Sequence, residues 1–289
     1  MELKKGDKIG IIALAGSCDK YSMTSAGEYF ESLGYKIEFS KNINHEYAYF
    51  AGNDEDKISE LHRFYSDPEI KLIMNARGGY GSIRLLDKID YSLIKKNPKP
   101  FVGYSDITAI ILMIYKKTGL ITYHGPMFCP DFAGEAFRAV NFNYLQNTLK
   151  GKSITLNGNK VYKKGKAEGI IWGGNLTTMA TLCGQDFIPD EDFILFAEDL
   201  NEPVYKIDRM MQQLLNIEQF RNRCKGIVFG EFLNTDNEEW LERYFTNLVK
   251  RYPIPMSGGF NITHSGAKIT IPIGIKAVLD DCNLVIESY

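Results

Sequence analysis

The chain predicts an α/β fold in two parts: an N-terminal domain on a parallel, doubly wound sheet, then a C-terminal β-rich α+β domain. Three observations carry this reading. Strand-like runs alternate with helix-periodic segments through the first half. Those runs are apolar throughout, as strands buried on both faces are. Beyond residue 151 the pattern changes and strand-like runs predominate. A length of 289 residues lets each part bury its own core.

The elements follow in order. KIGIIAL is the first strand. Ser22 to Leu33 has helical spacing and stops at Gly34, a C-cap residue. YKIEF is a short strand. Asp54 to Tyr65 is a helix whose apolar face carries Ile58, Leu61 and Phe64; Pro68 leads from it into the strand IKLIMNA. Gly78-Gly79-Tyr80-Gly81 interrupts the pattern before a short helix around Ile83 to Leu86. FVGY is a strand, Ile107 to Lys117 a helix and LITYHG a strand. Such alternation predicts a flavodoxin- or Rossmann-like domain over residues 1–150.

The polar stretch 151–166 reads as a linker, and residues 167–289 as the second domain. ITLN, KVYKKGKAEGIIWGG, FILFAED, KGIVFGEF, IPMSGGF, KITIPIGIKAVLD and NLVIES are strand-like. Helices fall at Leu176 to Leu182, Val204 to Leu215 and Glu238 to Arg251. Pro272 inside KITIPIG removes a ladder donor, so this strand belongs at an edge or bulge.

Composition excludes several functions. The net charge is −2 and the lysine pairs are scattered, so no basic stripe exists to neutralise nucleic-acid phosphates. No run approaches the ~20 apolar residues needed to span a bilayer. The first apolar run, about six residues, is too short for a secretory leader. A cytoplasmic protein is expected. The five cysteines are widely spaced without a C-x-x-C pair, which predicts reduced thiols and neither a metal cage nor a disulfide framework.

Ser105 in FVGYSDIT stands where an apolar strand turns into an apolar helix, at the strand end where open α/β sheets bind ligands. The Asp106 N–H beside it is a helix N-terminal donor suited to negative charge. The geometry is that of a nucleophile elbow, though G-Y-S-D-I departs from G-x-S-x-G; the competing reading makes Ser105 or Asp106 a helix cap. The loop NARGGYGSIRLL lacks both the P-loop and the dinucleotide spacing, so the Gly79 or Tyr80 N–H reads as a second oxyanion donor, with phosphate binding as the alternative. A serine nucleophile needs a base and the base an orienting carboxylate. His62 reads as a surface residue and His45 as a loop residue; His124 and His264 both qualify as the base. Glu198, Asp199 and Glu202 are the carboxylate candidates. Arg77, Arg209 and Asn175 lie near these motifs and are candidates to bind a substrate carboxylate.

Taken in order, ARGGYGSIRLL, FVGYSDIT, HGPM, EGIIWGGNLTTMATLCG, LFAEDLNEPVYKIDRMMQQL and GGFNITHSGAKITIPIG resemble the LD-carboxypeptidase family of serine peptidases, which includes the microcin C7 immunity peptidases. The resemblance implies a catalytic triad of Ser105, His264 and Glu198, with oxyanion donors on the backbone of Asp106 and Gly79, and so favours His264 over His124. It implies no cofactor and no metal, a homodimer, and hydrolysis of the amide between an L-centre and a C-terminal D-residue. Its recycling branch implies cytoplasmic muropeptide tetrapeptides that lose D-alanine. Thr263 precedes His264 where the family commonly has glycine. The chain is short and no inserted loop for a nucleotide-bearing substrate is evident, and this favours the recycling branch over the microcin branch. With Ser105 in the first domain and Glu198 and His264 in the second, the reacting groups are expected where the domains meet. A non-catalytic α/β ligand-binding module and a nucleotide-binding regulator using Gly78 to Gly81 are the alternatives of a different class.

Overall fold

The computed structural model describes residues 2–289, in two compact units: Met1–Gly151 with Ala267–Pro272, and Lys152–Gly266 with Ile273–Tyr289. The first unit runs β1 (Lys8–Ile12), α1 (Lys20–Ser32), β2 (Lys36–Phe39), a small hairpin of β3 (Glu46–Tyr47) and β4 (Phe50–Ala51), α2 (Asp54–Ser66), β5 (Ile70–Asn75), α3 (Tyr91–Lys96), β6 (Phe101–Gly103), α4 (Thr108–Thr118), β7 (Thr122–His124), α5 (Phe128–Phe132) and α6 (Glu135–Leu149). α1 and α2 begin where the sequence supplies caps. Asp19 accepts the Ser22 N–H at 2.8 Å, and Asn53 accepts the Asp56 N–H at 2.7 Å. α4 stops at Gly119, whose φ of +73° suits glycine.

The strands align as β2-β1-β5-β6-β7, all parallel, which is the flavodoxin order. Ile9, Ile11, Leu72, Met74 and Val102 on these strands pack with Phe30, Phe128 and Phe132 in a fully buried cluster. The strand order reverses between β1 and β5. The loops leaving those two strands therefore flank the position where this fold binds ligands.

The second unit forms one eight-stranded sheet. Its elements are β8 (Ile154–Asn157), β9 (Lys160–Lys163), β10 (Lys166–Asn175), α7 (Leu176–Thr181), β11 (Phe193–Leu200), α8 (Val204–Asn216), α9 (Glu218–Arg223), β12 (Cys224–Leu233), α10 (Glu238–Arg251) and β13 (Met256–Gly258). After β14 (Ile271–Ile273) come β15 (Lys276–Asp280) and β16 (Asn283–Ile286). The order is β8-β16-β15-β10-β11-β12-β13-β9. The β10-β11-β12-β13 centre is parallel and its flanks antiparallel, so this unit too contains strand-helix-strand crossovers. Trp172, Phe187, Phe193 and Phe220 bury an aromatic core, with Trp172 and Phe193 centroids 5.2 Å apart.

Three sequence expectations are revised. Residues 151–166, read as a linker although ITLN and KVYK within them are strand-like, hold β8 and β9, which close opposite ends of the second sheet. Edge strands there carry exposed polar residues, and this gives them the composition of a linker. KITIPIG does supply an edge strand, β14, but it joins the first sheet beside β7. Pro272, which has no N–H to donate, is tolerated at that edge. Finally, Cys18 and Cys129 form a disulfide across 111 residues of sequence, while Cys183, Cys224 and Cys282 are free. Only the fold brings that pair together.

Candidate active site

Ser105 has φ +61°, one of few non-glycine residues in the left-handed region. L-residues reach this conformation at a cost of about 1–2 kcal/mol. It arises because the chain leaves β6 and enters a 3-10 turn, Ser105–Ile107, and then α4 without a connecting loop. The turn is tight enough that a Cβ at Gly103 would lie 2.8 Å from Ile107 Cγ2. Glycine two residues before the serine is thus required here, as in a nucleophile elbow. At the start of the turn Tyr104, in the N-cap position, makes no side-chain cap bond.

The glycine loop after β5 lies against Ser105. A Cβ on Gly78 would sit 3.0 Å from Ser105 Oγ and 3.1 Å from its Cβ, so only glycine leaves the hydroxyl its space. Gly16 N–H, in the loop after β1, donates to Gly78 O at 3.2 Å. In a trans peptide the carbonyl and the next N–H point in opposite directions. The Gly79 N–H therefore faces away from the β1 loop. Buried Asn75, at the end of β5, fixes the base of the loop: Nδ2 donates to Arg77 O at 2.6 Å, and Oδ1 accepts the Leu14 N–H at 3.3 Å. On the other side the buried Asp106 carboxylate accepts the Ser82 N–H at 2.8 Å, and the Ser82 hydroxyl donates to Asp106 O at 2.5 Å. Glycine loop and serine turn are thus tied by reciprocal bonds.

In the second unit, β11 delivers Glu198 and the loop after β13 delivers His264. His264 Nδ1 is hydrogen-bonded to Glu198 Oε2. That pairing fixes the proton on Nδ1 and leaves the lone pair on Nε2, the atom a general base uses. Glu198 is fully buried; burial pushes its carboxyl above the ordinary range, and the partnership with His264 pulls it back. The histidine loop is stitched to the end of β12. Glu231 N–H donates to Ile262 O at 2.8 Å, and the Thr263 hydroxyl donates to Glu231 Oε2 at 2.6 Å. Thr263 Oγ1 also accepts the Ser265 N–H at 3.1 Å. Threonine before the histidine thus anchors the loop from both sides.

The other candidates separate clearly. Asp199 accepts from Asn175 Nδ2, Thr177 N, Thr177 Oγ1 and Leu200 N, all within 3.0 Å, and so is a scaffold for the start of α7. Asn175 caps that helix through Thr178 N and stands opposite Glu198 in the β10–β11 register, which commits its amide to the carboxylate network. Glu202 pairs with Lys206 at 3.2 Å. Arg77 is exposed on the glycine loop, with Nη1 3.3 Å from Ser17 O. Arg209 lies on the exposed face of α8 with its guanidinium over Tyr205. His124 ends β7, buried, with its ring 6.0 Å from that of Tyr104. His62 Nε2 accepts the Asp90 N–H, and His45 is an exposed loop residue. Sequence reading missed Asn75, Ser82 and Glu231. No local pattern marks them, because each acts through a partner distant in the chain. Among the described residues no cluster of His, Cys, Asp and Glu has the arrangement of a metal site, and no helix is long and apolar enough to cross a membrane.

Residues 9–125 match the LD-carboxypeptidase N-terminal domain and residues 168–279 the LD-carboxypeptidase C-terminal domain. A probable murein peptide carboxypeptidase of Bacillus subtilis (strain 168) is 33% identical, over 96% of this chain and 90% of the relative. The crystal structure of a muramoyltetrapeptide carboxypeptidase from Oxalobacter formigenes superposes with TM-score 0.89 at 30% identity, covering 98% of this chain and 99% of that one. An MccF-like protein from Bacillus anthracis str. Ames superposes with TM-score 0.91 at 28% identity, covering 100% and 98%. Both halves of the sequence, and the fold that carries the elbow and the His–Glu pair, lead to one assignment: the chain belongs to the LD-carboxypeptidase family.

Proposed function

We propose that this carboxypeptidase hydrolyses the amide between an L-centre and the C-terminal D-alanine of muropeptide tetrapeptides, through a Ser105–His264–Glu198 triad and an acyl-enzyme. The observation that carries the reading is the left-handed elbow at Ser105 with the glycine loop against its hydroxyl. His264 Nε2 takes the Ser105 proton as Oγ attacks the scissile carbonyl. Glu198 holds the imidazole's tautomer and stabilises its charged form. The N–H groups of Asp106 and Gly79 receive the oxyanion. His264 then protonates the departing amine of D-alanine, and water, deprotonated by the same nitrogen, releases the acid from Ser105. Of the residues considered for the substrate carboxylate, Arg77 is favoured, since it shares the loop of the Gly79 donor; Asn175 and Arg209 have the other roles described above.

Peptidoglycan recycling in the cytoplasm, by a homodimer, is the setting in which this chemistry fits. The likeness to an MccF-like protein supports a second reading, cleavage of an acyl-nucleotide antibiotic. Mass spectrometry of purified protein with a muramoyl tetrapeptide and, separately, an aminoacyl-nucleotide analogue tests both. Loss of one alanine from the tetrapeptide with the analogue intact is expected. An intact tetrapeptide and a cleaved analogue would transfer the assignment to the second reading.

A further inference from the structure

Lys57, on α2, is fully buried, and its Nζ makes no hydrogen bond to the described residues. Burying an ammonium without such a bond is expensive unless opposite charge lies nearby. Its surroundings show what compensates. Nζ stands 4.4 Å from the centroid of the Phe50 ring and 3.5 Å from the position a Cβ on Gly81 would take, so it lies directly beneath the glycine loop. The charged groups facing it are the carboxylates of Asp54 and Asp106 and the guanidinium of Arg84. Asp54 is already paired, to Arg84 at 2.8 Å and Lys88 at 3.5 Å. Among the described residues no ion pair joins Asp106 to another cation; its carboxylate interacts with the Gly81 and Ser82 N–H groups, the Ser82 hydroxyl and Lys57.

The geometry points to Lys57 as a positioning residue for the peptidase reaction: its ammonium, buried beneath the glycine loop, supports the Asp106 carboxylate, and that carboxylate holds the glycine loop against the serine turn. The inference rests on the reading of Ser105 as nucleophile and of the Asp106 and Gly79 N–H groups as oxyanion donors. Asp106 then acts in two ways. Its N–H meets the substrate, while its carboxylate, bonded to the Ser82 N–H, fixes the loop that carries the second donor. A carboxylate accepts the Ser82 and Gly81 N–H groups together; a protonated acid gives up part of that capacity. Burial pushes the Asp106 carboxyl up; the hydrogen bonds from Ser82 and Gly81 oppose this, and the Lys57 charge adds to them. Burial also lowers the Lys57 amine, with Asp54 and Asp106 opposing.

The test is the pH profile of tetrapeptide hydrolysis by Lys57→Met, with and without Asp106→Asn. Removing a neighbouring opposite charge raises a carboxyl pKa. Lys57→Met is therefore expected to move the acid limb of kcat to higher pH with KM little changed. In the Asp106→Asn background, where nothing at 106 titrates, adding Lys57→Met is expected to leave the limb where it is. A kcat lowered by the same factor at every pH, or the same limb shift in both backgrounds, would overturn the inference. Should Lys57→Met not fold, the wild-type and Asp106→Asn proteins suffice. In lysine-13Cε NMR titrations, one lysine signal is expected to change its titration in Asp106→Asn. Superposable titrations of all lysine signals would overturn the coupling. This arm needs no turnover, so failure of the peptidase reading shows separately, as absence of alanine release by the wild-type protein.

Discussion

Gly78→Ala puts one methyl group into the space of the Ser105 hydroxyl, the proposed nucleophile. The new Cβ would stand 3.0 Å from Ser105 Oγ, 3.1 Å from Ser105 Cβ and 3.4 Å from Met127 Cε. Ordinary contacts between such atoms are about 3.5–4.0 Å, so roughly half an ångström must be found. Met127 Cε is the end of a flexible side chain and can yield. Ser105 is held between β6 and α4 in the left-handed elbow, so its Oγ must shift or rotate to make room. Gly78 itself is outside the left-handed region, and alanine can adopt its backbone without strain. The stability loss is therefore that of modest overpacking, about 1 kcal/mol. Catalysis is more sensitive: displacing a reacting atom by 1 Å costs about 10²-fold. Half that displacement predicts a kcat reduced roughly 10-fold or more, with KM within about three-fold. Steady-state kinetics on a muramoyl tetrapeptide, with thermal unfolding alongside, measures both. A kcat within two-fold of wild type would refute the placement of Ser105 Oγ as the attacking atom beside this loop.

Three further outcomes follow from the same geometry. Ser105→Gly is expected to unfold at higher temperature than Ser105→Ala, by about 1 kcal/mol in stability, because only glycine relieves the φ of +61°; equal stabilities by calorimetry would deny the strain. Asp199→Asn is isosteric but presents an amide donor to a site already filled with four donors, and it should cost about 1–3 kcal/mol in chemical denaturation. Glu198→Gln should lower kcat by about 10³–10⁴-fold while unfolding at higher temperature than wild type at pH 7. Burial raises the folded-state pKa of Glu198 above its ordinary 4.5. The wild-type carboxyl therefore favours the folded state fully below about pH 4.5 and loses that contribution as pH climbs through the raised value. The advantage of the glutamine variant should close in acid; a gap independent of pH would show that Glu198 does not titrate as a buried acid.

Much of the first unit was legible because parallel strands buried on both faces read as continuous apolar runs, and Asp19, Asn53 and Gly119 mark helix ends locally. The elbow was legible for the same reason: in FVGYSDIT a small polar residue interrupts two apolar elements with no turn residues between them. What was illegible depends on partners far along the chain. β8 and β9 are polar edge strands, and their pairing with β16 and β13 is invisible locally. α6 has weak apolar periodicity, since only Asn141, Phe142, Leu145, Thr148 and Leu149 of its fifteen residues are buried. Thr263 looked like a departure before His264 until Glu231, 32 residues earlier, supplied its partner. Lys57 lies among the charged residues of α2, and nothing in the local sequence marks it as buried.

The central claim is that the Ser105 oxygen forms the acyl-enzyme. Single-turnover hydrolysis of a muramoyl tetrapeptide by wild type and Ser105→Ala, with intact-protein mass spectrometry on quenched samples, tests it directly. The account predicts a rate lowered roughly 10⁴–10⁶-fold and an acyl adduct that is seen on wild type and missing from the variant. A variant that releases alanine within a few-fold of the wild-type rate would contradict it.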